Sequence, residues 1–138
     1  MNWMAVARDV VIYWCMTFLG GAVVGYSAAA LGATGSPALE SALAFSSMLF
    51  GVIAFFIVGA LTKRHRLVHL VVVTLFVWLT NLFNIFAFGV TAVQWLFGLA
   101  VLLVLALIGG GASYLLVPPK KNVGPDTETP DRTAVDRS

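Results

Sequence analysis

Two asparagines three residues apart, Asn81 and Asn84, interrupt one of the most apolar stretches of the chain, WLTNLFNIFAF at residues 78–88. Each carboxamide carries two N–H donors and a carbonyl acceptor. Trp78 precedes Asn81 by three residues, so the three side chains share one broad face of a helix. This spacing predicts a polar patch that suits a small polar solute or a coordinated cation.

Other segments are expected to supply polar groups at the same depth. Ser46 and Ser47 lie in the second apolar segment, Tyr26 lies in the first, and Glu40 would stand at the mouth. With Trp78 and the two asparagines, these residues form a predicted polar cavity. An alternative stays open, in which the two amides bond to Ser or Thr hydroxyls of neighbouring helices. Such bonds are worth about 0.6 kcal/mol on average and would simply hold the helices together.

Glu40 is the only acidic residue outside the first nine residues and the C-terminal tail. Carboxylates within membranes mark proton and ion pathways, which favours a coupling role. Ser36 and Pro37, however, are residue types typical of a helix cap and a first helical turn. They would place Glu40 near the membrane surface, where it interacts favourably with the helix dipole. Both interpretations are open.

Two histidines four residues apart, His65 and His69, could share a metal ion, with Cys15 as the only thiol. A metal site needs further ligands, so we expect interfacial histidines and no metal or other cofactor. The triple glycine at 109–111 lies inside an apolar segment and lacks the context of a phosphate-binding loop. No Ser-His-Asp set shares a depth. We expect no catalytic residues and no enzyme activity.

The composition predicts a membrane protein. Of the 138 residues, 60% are hydrophobic and only 10% are charged, whereas soluble domains carry about 25% charged residues. The mean hydropathy is +0.97. Four apolar segments, at about 10–31, 38–62, 67–88 and 95–117, are each long enough to cross a hydrocarbon core of about 30 Å. Helices are expected because lipid leaves no partner for an unpaired backbone group.

The predicted fold is an all-α integral membrane protein. Short links between the segments indicate an antiparallel up-down bundle of four transmembrane helices within residues 1–117. Residues 118–138 hold four of the five prolines and few apolar residues. We therefore expect this segment to be a disordered cytoplasmic tail.

The basic residues predict an orientation. Arg8 precedes the first segment, Lys63, Arg64 and Arg66 separate the second from the third, and the other four basic residues follow the fourth. All eight then lie on one side, which predicts an inner-membrane protein with both termini in the cytoplasm. An alternative treats the first segment as a signal peptide cleaved near SAAALGA. The net charge of +2 is too small to indicate nucleic-acid binding.

The cluster of Lys63, Arg64 and Arg66 has two interpretations. It could contact an anionic lipid head group, or it could serve only as the topology signal.

Small residues predict where helices pack. Gly21 and Gly25 form a GxxxG pattern that Ala29 extends, and Gly51 occupies a similar position in the second segment. Close packing within the chain is the favoured interpretation, and a homo-oligomer interface is the alternative.

Two functions follow from these features. The first is a non-catalytic helper or interaction subunit that associates with itself or with another membrane protein. The second is a small oligomeric transporter or channel for a small polar solute or ion. Because charged residues are nearly absent from the spans, the sequence favours the first.

Overall fold

A computed structural model describes residues 3–62 and 65–117, and this part of the chain is helical apart from its connections. Its helices are α1 (Trp3–Ala30), α2 (Pro37–Leu61), α3 (Arg66–Thr80), α4 (Phe83–Phe88) and α5 (Ala92–Leu116). Four segments are long and apolar enough to cross a membrane: α1, α2, the stretch Arg66–Ala87 and α5. The prediction of an all-α protein with four membrane-spanning helices is confirmed. The predicted tail, 118–138, lies outside the described residues.

The first helix is longer than the hydropathy pattern indicated. It begins at Trp3, seven residues before the predicted start at residue 10, and it includes Arg8 and Asp9. Charged residues end an apolar segment in a hydropathy pattern, but they do not end a helix. Asp9 is fully buried, so the helix carries a charged group into the bundle.

The starts of α2 and α5 are fixed by side-chain caps. The predicted roles of Ser36 and Pro37 are confirmed, because the Ser36 hydroxyl accepts a hydrogen bond from the backbone N–H of Leu39 and Pro37 begins α2. Thr91 and Gln94 form a capping box that begins α5.

The third span is broken at the two asparagines. Helix α3 ends at Thr80, and α4 begins at Phe83. Between them the backbone forms i to i−3 hydrogen bonds, from the N–H of Leu82 to the carbonyl of Leu79 and from that of Asn84 to the carbonyl of Asn81. Gly89 then ends α4 with a positive φ of 66°.

Consecutive spans alternate in direction, and the four spans form a ring in the order α1, α2, α5, α3. Helices α2 and α5, which both run the same way, make the most extensive contact. Gly51 faces Leu105, and further along the same two helices Gly59 faces Ser113. Helices α1 and α3 also run in the same direction and close the ring.

Glycines set the close approach of α5 to its neighbours. A Cβ at Gly109 would lie 2.9 Å from the backbone nitrogen of Phe56 on α2, and one at Gly110 would lie 2.6 Å from a methyl group of Leu70 on α3. Beside this contact lie Phe55, Val58, Val73 and Val77, all with no exposed surface. Gly109 and Gly110 therefore serve packing within a continuous helix, whereas Gly111 has no such neighbour.

The bundle has two distinct ends. The basic end holds the start of α1, the start of α3 and the end of α5. The cavity end holds the α1–α2 and α4–α5 connections.

We predict that Gly109→Ala destabilises the protein by about 1–3 kcal/mol, because the added methyl group meets α2 backbone that cannot move aside cheaply. Gly111→Ala is the matched control, since nothing lies within 4 Å of the position of its Cβ. Thermal unfolding in mild detergent checks both variants. Equal melting temperatures for the two variants would contradict the proposed α2–α5 contact.

Candidate functional site: a polar cavity and a buried ion pair

A cavity of about 370 Å³ lies between the helices toward the cavity end. On α5 its lining extends from Gln94 to Leu105, about 16 Å along the helix axis. Its polar and aromatic lining residues are Tyr13, Ser47, Trp78, Asn81, Asn84, Gln94 and Trp95. Apolar residues and Gly98 complete the wall, and none of the described lining residues carries a charged side chain.

Trp78 and Trp95 form a reciprocal pair in the cavity wall. Their rings stack with centroids 3.9 Å apart and an interplanar angle of 19°. The indole N–H of Trp78 donates to the carbonyl of Trp95 over 3.0 Å, and that of Trp95 donates to the carbonyl of Trp78 over 3.1 Å. Both indole donors are thereby satisfied, and the end of α3 is joined to the start of α5.

The two asparagines bond to each other and to their own span. The Asn81 side chain donates to the carbonyl of Val77 over 3.1 Å, and its side-chain oxygen accepts a bond from the Asn84 amide over 2.8 Å. These bonds support the break between α3 and α4. They use one N–H of each amide, so a second N–H on each residue and the Asn84 side-chain oxygen are left for the cavity.

Tyr13 and Gln94 line the cavity at different depths of the bundle. Tyr13 is buried, packs against Phe55 with ring centroids 5.2 Å apart, and lines the cavity about halfway along the bundle. The side-chain oxygen of Gln94 accepts the backbone N–H of Thr91 in the α5 capping box. This bond orients the Gln94 carboxamide at the cavity end.

The structure brings together four of the seven predicted cavity residues: Ser47, Trp78, Asn81 and Asn84 line the space. The other three lie elsewhere. Tyr26 is 80% exposed, and Glu40 is exposed in the first turn of α2. Ser46 is buried beside Gly20, with its hydroxyl unpartnered. Adjacent residues on a helix point about 100° apart, so Ser46 and Ser47 cannot face the same space.

Sequence reasoning missed Tyr13, Gln94 and Trp95. The span was expected to start at residue 10, which placed Tyr13 close to the membrane surface. Trp95 has the position of an interfacial belt residue, and its pairing with Trp78 depends on the geometry of the break. The weak available signal was the polar Gln94 beside Trp95.

Of the predicted packing residues, one packs inside the bundle and the others lie on an open face of α1. Gly51 packs inside the bundle, where a Cβ would lie 3.0 Å from Leu105. Gly21 and Gly25 have nothing within 4 Å of the position of a Cβ, and Ala29 is exposed. On α1 it is Gly20 that meets α2, where a Cβ would lie 2.9 Å from the Ser46 hydroxyl. The face that carries Gly21 and Gly25 is therefore open.

A second polar site lies at the basic end. Asp9 is fully buried, and its carboxylate oxygen Oδ2 lies 2.7 Å from Nε2 of His69, which is also buried. The other oxygen, Oδ1, accepts a bond from Nε of Arg8 over 2.7 Å. This pair joins α1 to α3. The Trp14 indole adds a second connection by donating to the Thr80 hydroxyl over 3.0 Å.

His65 and His69 do not form a shared site. His65 is exposed and takes a left-handed conformation, with φ of 50°, just before α3, whereas His69 is buried inside that helix. Cys15 is also exposed. Within 3–62 and 65–117, no group of three or more His, Cys, Asp or Glu residues could hold a metal ion. The prediction of two interfacial histidines is thus corrected for His69, which lies buried against Asp9.

Arg66 caps the end of α5. Its guanidinium donates to the carbonyls of Thr62, Ser113 and Val117 and lies 5.3 Å above the ring of Tyr114. Arg66 is buried by these contacts. Of the three residues predicted to contact a lipid head group, Lys63 and Arg64 lie outside the described residues. Arg66 itself holds α2, α3 and α5 together through its bonds to backbone carbonyls.

Comparison of the chain with protein-family models, curated proteins and solved structures found no match in any of the three. Function must therefore be inferred from the two sites themselves.

We predict that Trp78→Phe and Trp95→Phe each lower stability by about 1 kcal/mol, because each removes one indole hydrogen bond. Both variants should also abolish the exciton couplet that two stacked indoles produce in circular dichroism. Trp3→Phe, at an exposed position, should leave the couplet intact. A couplet that persists in Trp95→Phe would contradict the stacked arrangement.

Proposed function

We propose that this protein is a small membrane transporter that binds an uncharged polar solute in the cavity beside the Trp78–Trp95 pair. The proposal rests on the volume of this cavity together with the side chains that line it. A cavity of about 370 Å³ inside an apolar bundle is lined by carboxamides and stacked indoles. It lies at the lower end of the size range typical of small-molecule sites.

The lining favours a neutral solute over an ion. Taking an ion out of water costs several kcal/mol unless an opposite charge or a dense set of hydrogen bonds compensates it. Among the described residues that line the cavity, none offers such a charge. Asn81, Asn84 and Gln94 instead present several N–H donors together with the Asn84 side-chain oxygen, which suits a molecule with several hydroxyl or amide groups.

The aromatic pair supplies the apolar part of such a site. Tryptophan rings bury large areas and stack against flat or weakly polar faces. Because both indole N–H groups are bound to backbone carbonyls, the pair offers a rigid surface that needs no rearrangement when a solute binds.

The proposed setting is the inner membrane, with the basic end in the cytoplasm. In the sequence, all eight Lys and Arg residues lie near the start of α1, between α2 and α3, at the start of α3 or after α5, and the positive-inside rule supports this orientation. The cavity would then lie toward the outer face. The lipid bilayer is the proposed surrounding partner.

The transport proposal is tested in proteoliposomes with matched panels of neutral polyols and sugars, small cations and small anions. We expect flux of at least one neutral solute, and we expect it to be lost in Asn81→Leu and Asn84→Leu at unchanged folded yield. These substitutions remove the amide groups that face the cavity. Ser41→Ala, at an exposed position on α2 away from the cavity, is the control and should keep full flux.

Absence of flux for every solute class would refute the transporter. If both asparagine variants lose folded yield or thermal stability yet retain flux, the two amides only support the break in the third span.

A second candidate function, a non-catalytic subunit that associates with itself or another membrane protein, is favoured by the open glycine face. Among the described residues outside the helix's own backbone, no atom lies within 4 Å of where a Cβ would stand on Gly21 or Gly25, although such spacing lets two helices approach closely. Exposed Phe18 and Tyr26 flank the glycines on the same helix. The two functions are compatible, because small transporters commonly act as oligomers.

We predict that the double variant Gly21→Leu and Gly25→Leu converts an oligomer into a monomer in mild detergent, as measured by light scattering after size exclusion. Gly111→Leu is the control, because it also adds bulk at an open glycine but lies on α5. A pull-down in the same detergent would report any different membrane protein. If the double variant keeps the wild-type mass, the glycine face is not an interface.

A further inference from the structure

Asp9 and His69 form a buried pair of ionisable side chains at the basic end, where a contact between apolar side chains would be enough to join α1 to α3. Asp9 has no exposed side-chain surface, and His69 has 10%. A pair of apolar residues would join α1 to α3 without the cost of desolvating a carboxylate. Ionisable groups inside membrane bundles are instead typical of proton and ion pathways.

The contacts of the pair are those that a proton-binding site needs. Oδ1 of Asp9 accepts a bond from the Arg8 guanidinium. The second oxygen, Oδ2, lies 2.7 Å from Nε2 of His69, within hydrogen-bond distance. An imidazole has two ring nitrogens, and a hydrogen bond from imidazolium to a carboxylate is stronger than one from the neutral ring.

Among the described residues, few other titratable groups lie near this pair. On α1 they are Arg8 and Tyr13, and on α3 the nearest is Arg66, one turn away and bound to backbone carbonyls. Just before α3, His65 also lies one turn from His69 and is exposed. Helix α5 contributes Tyr114, which lies under the Arg66 guanidinium. Glu40, the one titratable residue of α2, lies at the opposite end of the bundle. Of this set, His69 is the imidazole that contacts the Asp9 carboxylate.

The two helices that carry the pair also carry walls of the cavity. On α1, Tyr13 follows Asp9 by one turn, on the same helix face and about 6 Å along the axis. On α3, Trp78 follows His69 by nine residues, about 13 Å further along. A change in the bond between Asp9 and His69 thus acts on two rigid elements that position Tyr13 and Trp78.

We propose that Asp9 and His69 form a proton-binding site that is linked to the cavity, so that the protein binds solute and proton together. The solute part of this inference rests on the proposed transport function. With a proton on His69, α1 is held firmly to α3 and the cavity keeps the shape described above. Loss of the proton weakens the contact and favours release of solute. Linkage is reciprocal, so bound solute also raises the affinity for the proton.

The first test needs no solute. The full-length protein in nanodiscs is labelled with ¹³C-histidine and titrated from pH 4.5 to 9, while circular dichroism follows the Trp78–Trp95 couplet. We expect the His69 resonance, assigned with the His65→Gln variant, and the couplet to change with one shared midpoint. His69→Gln and Asp9→Asn should lose the pH dependence of the couplet. His65→Gln, which alters the exposed histidine, should retain it.

Two results would overturn the inference: a His69 resonance that does not shift over this range, or a couplet that stays constant while His69 titrates. Both are measured on the wild-type chain and need a variant only for the assignment, at the exposed His65, so the test stands even if His69→Gln or Asp9→Asn fails to fold.

The second test uses any neutral solute that binds in the flux panel. Its affinity should fall at least about fivefold as pH rises through the His69 midpoint, the lower bound of typical coupling between two sites. The His69→Gln variant should show one affinity at all pH values. Solute affinity that is independent of pH in the wild type overturns the proton linkage but leaves transport in place. Conversely, a pH-dependent couplet without any solute binding supports the proton site and refutes the transporter.

Discussion

The close contact between α2 and α5 is the constraint on which the rest of the structure depends. Lipid gives helices no hydrophobic reason to associate, so packing relies on surfaces that approach closely. Here Gly109 meets the α2 backbone and Gly59 meets Ser113, both toward the basic end. Toward the cavity end, Trp95 of α5 instead stacks on Trp78 of α3. The cavity lies beside this stacked pair.

The polar groups and the charged groups of the bundle lie in two separate layers. The cavity is uncharged and surrounded by groups that both donate and accept hydrogen bonds, whereas the charged groups of α1 and α3 are collected at the basic end. Between them stand Tyr13 and the apolar core around Phe55 and Val73. Asp9 can be kept in such a place because each of its carboxylate oxygens has a nitrogen partner, which offsets its desolvation.

The asparagines show how a local break serves the site. A straight helix through residues 66–88 would satisfy its backbone without side-chain help. The i to i−3 bonds between Leu79 and Ile85 depart from that pattern, and the amides of Asn81 and Asn84 bond across the departure. The two amides in this apolar stretch thus have a structural role: they bond to each other and to their own span. Their remaining donors and acceptor are what the cavity can use.

The sequence by itself determined the spans, because hydropathy and length decide what can cross a bilayer, and it determined the cap at Ser36, which is a local interaction. It also identified Trp78 and the two asparagines, since polar residues stand out in an apolar segment. Only the tertiary structure decided which faces meet. Asp9 looked like the flank of a span until its partner, sixty residues away, was known. Gly20 and Gly21 differ by one residue, yet one packs and the other is open. Periodicity within a single helix describes its faces, but the choice among them depends on the neighbours that the ring of helices brings into contact.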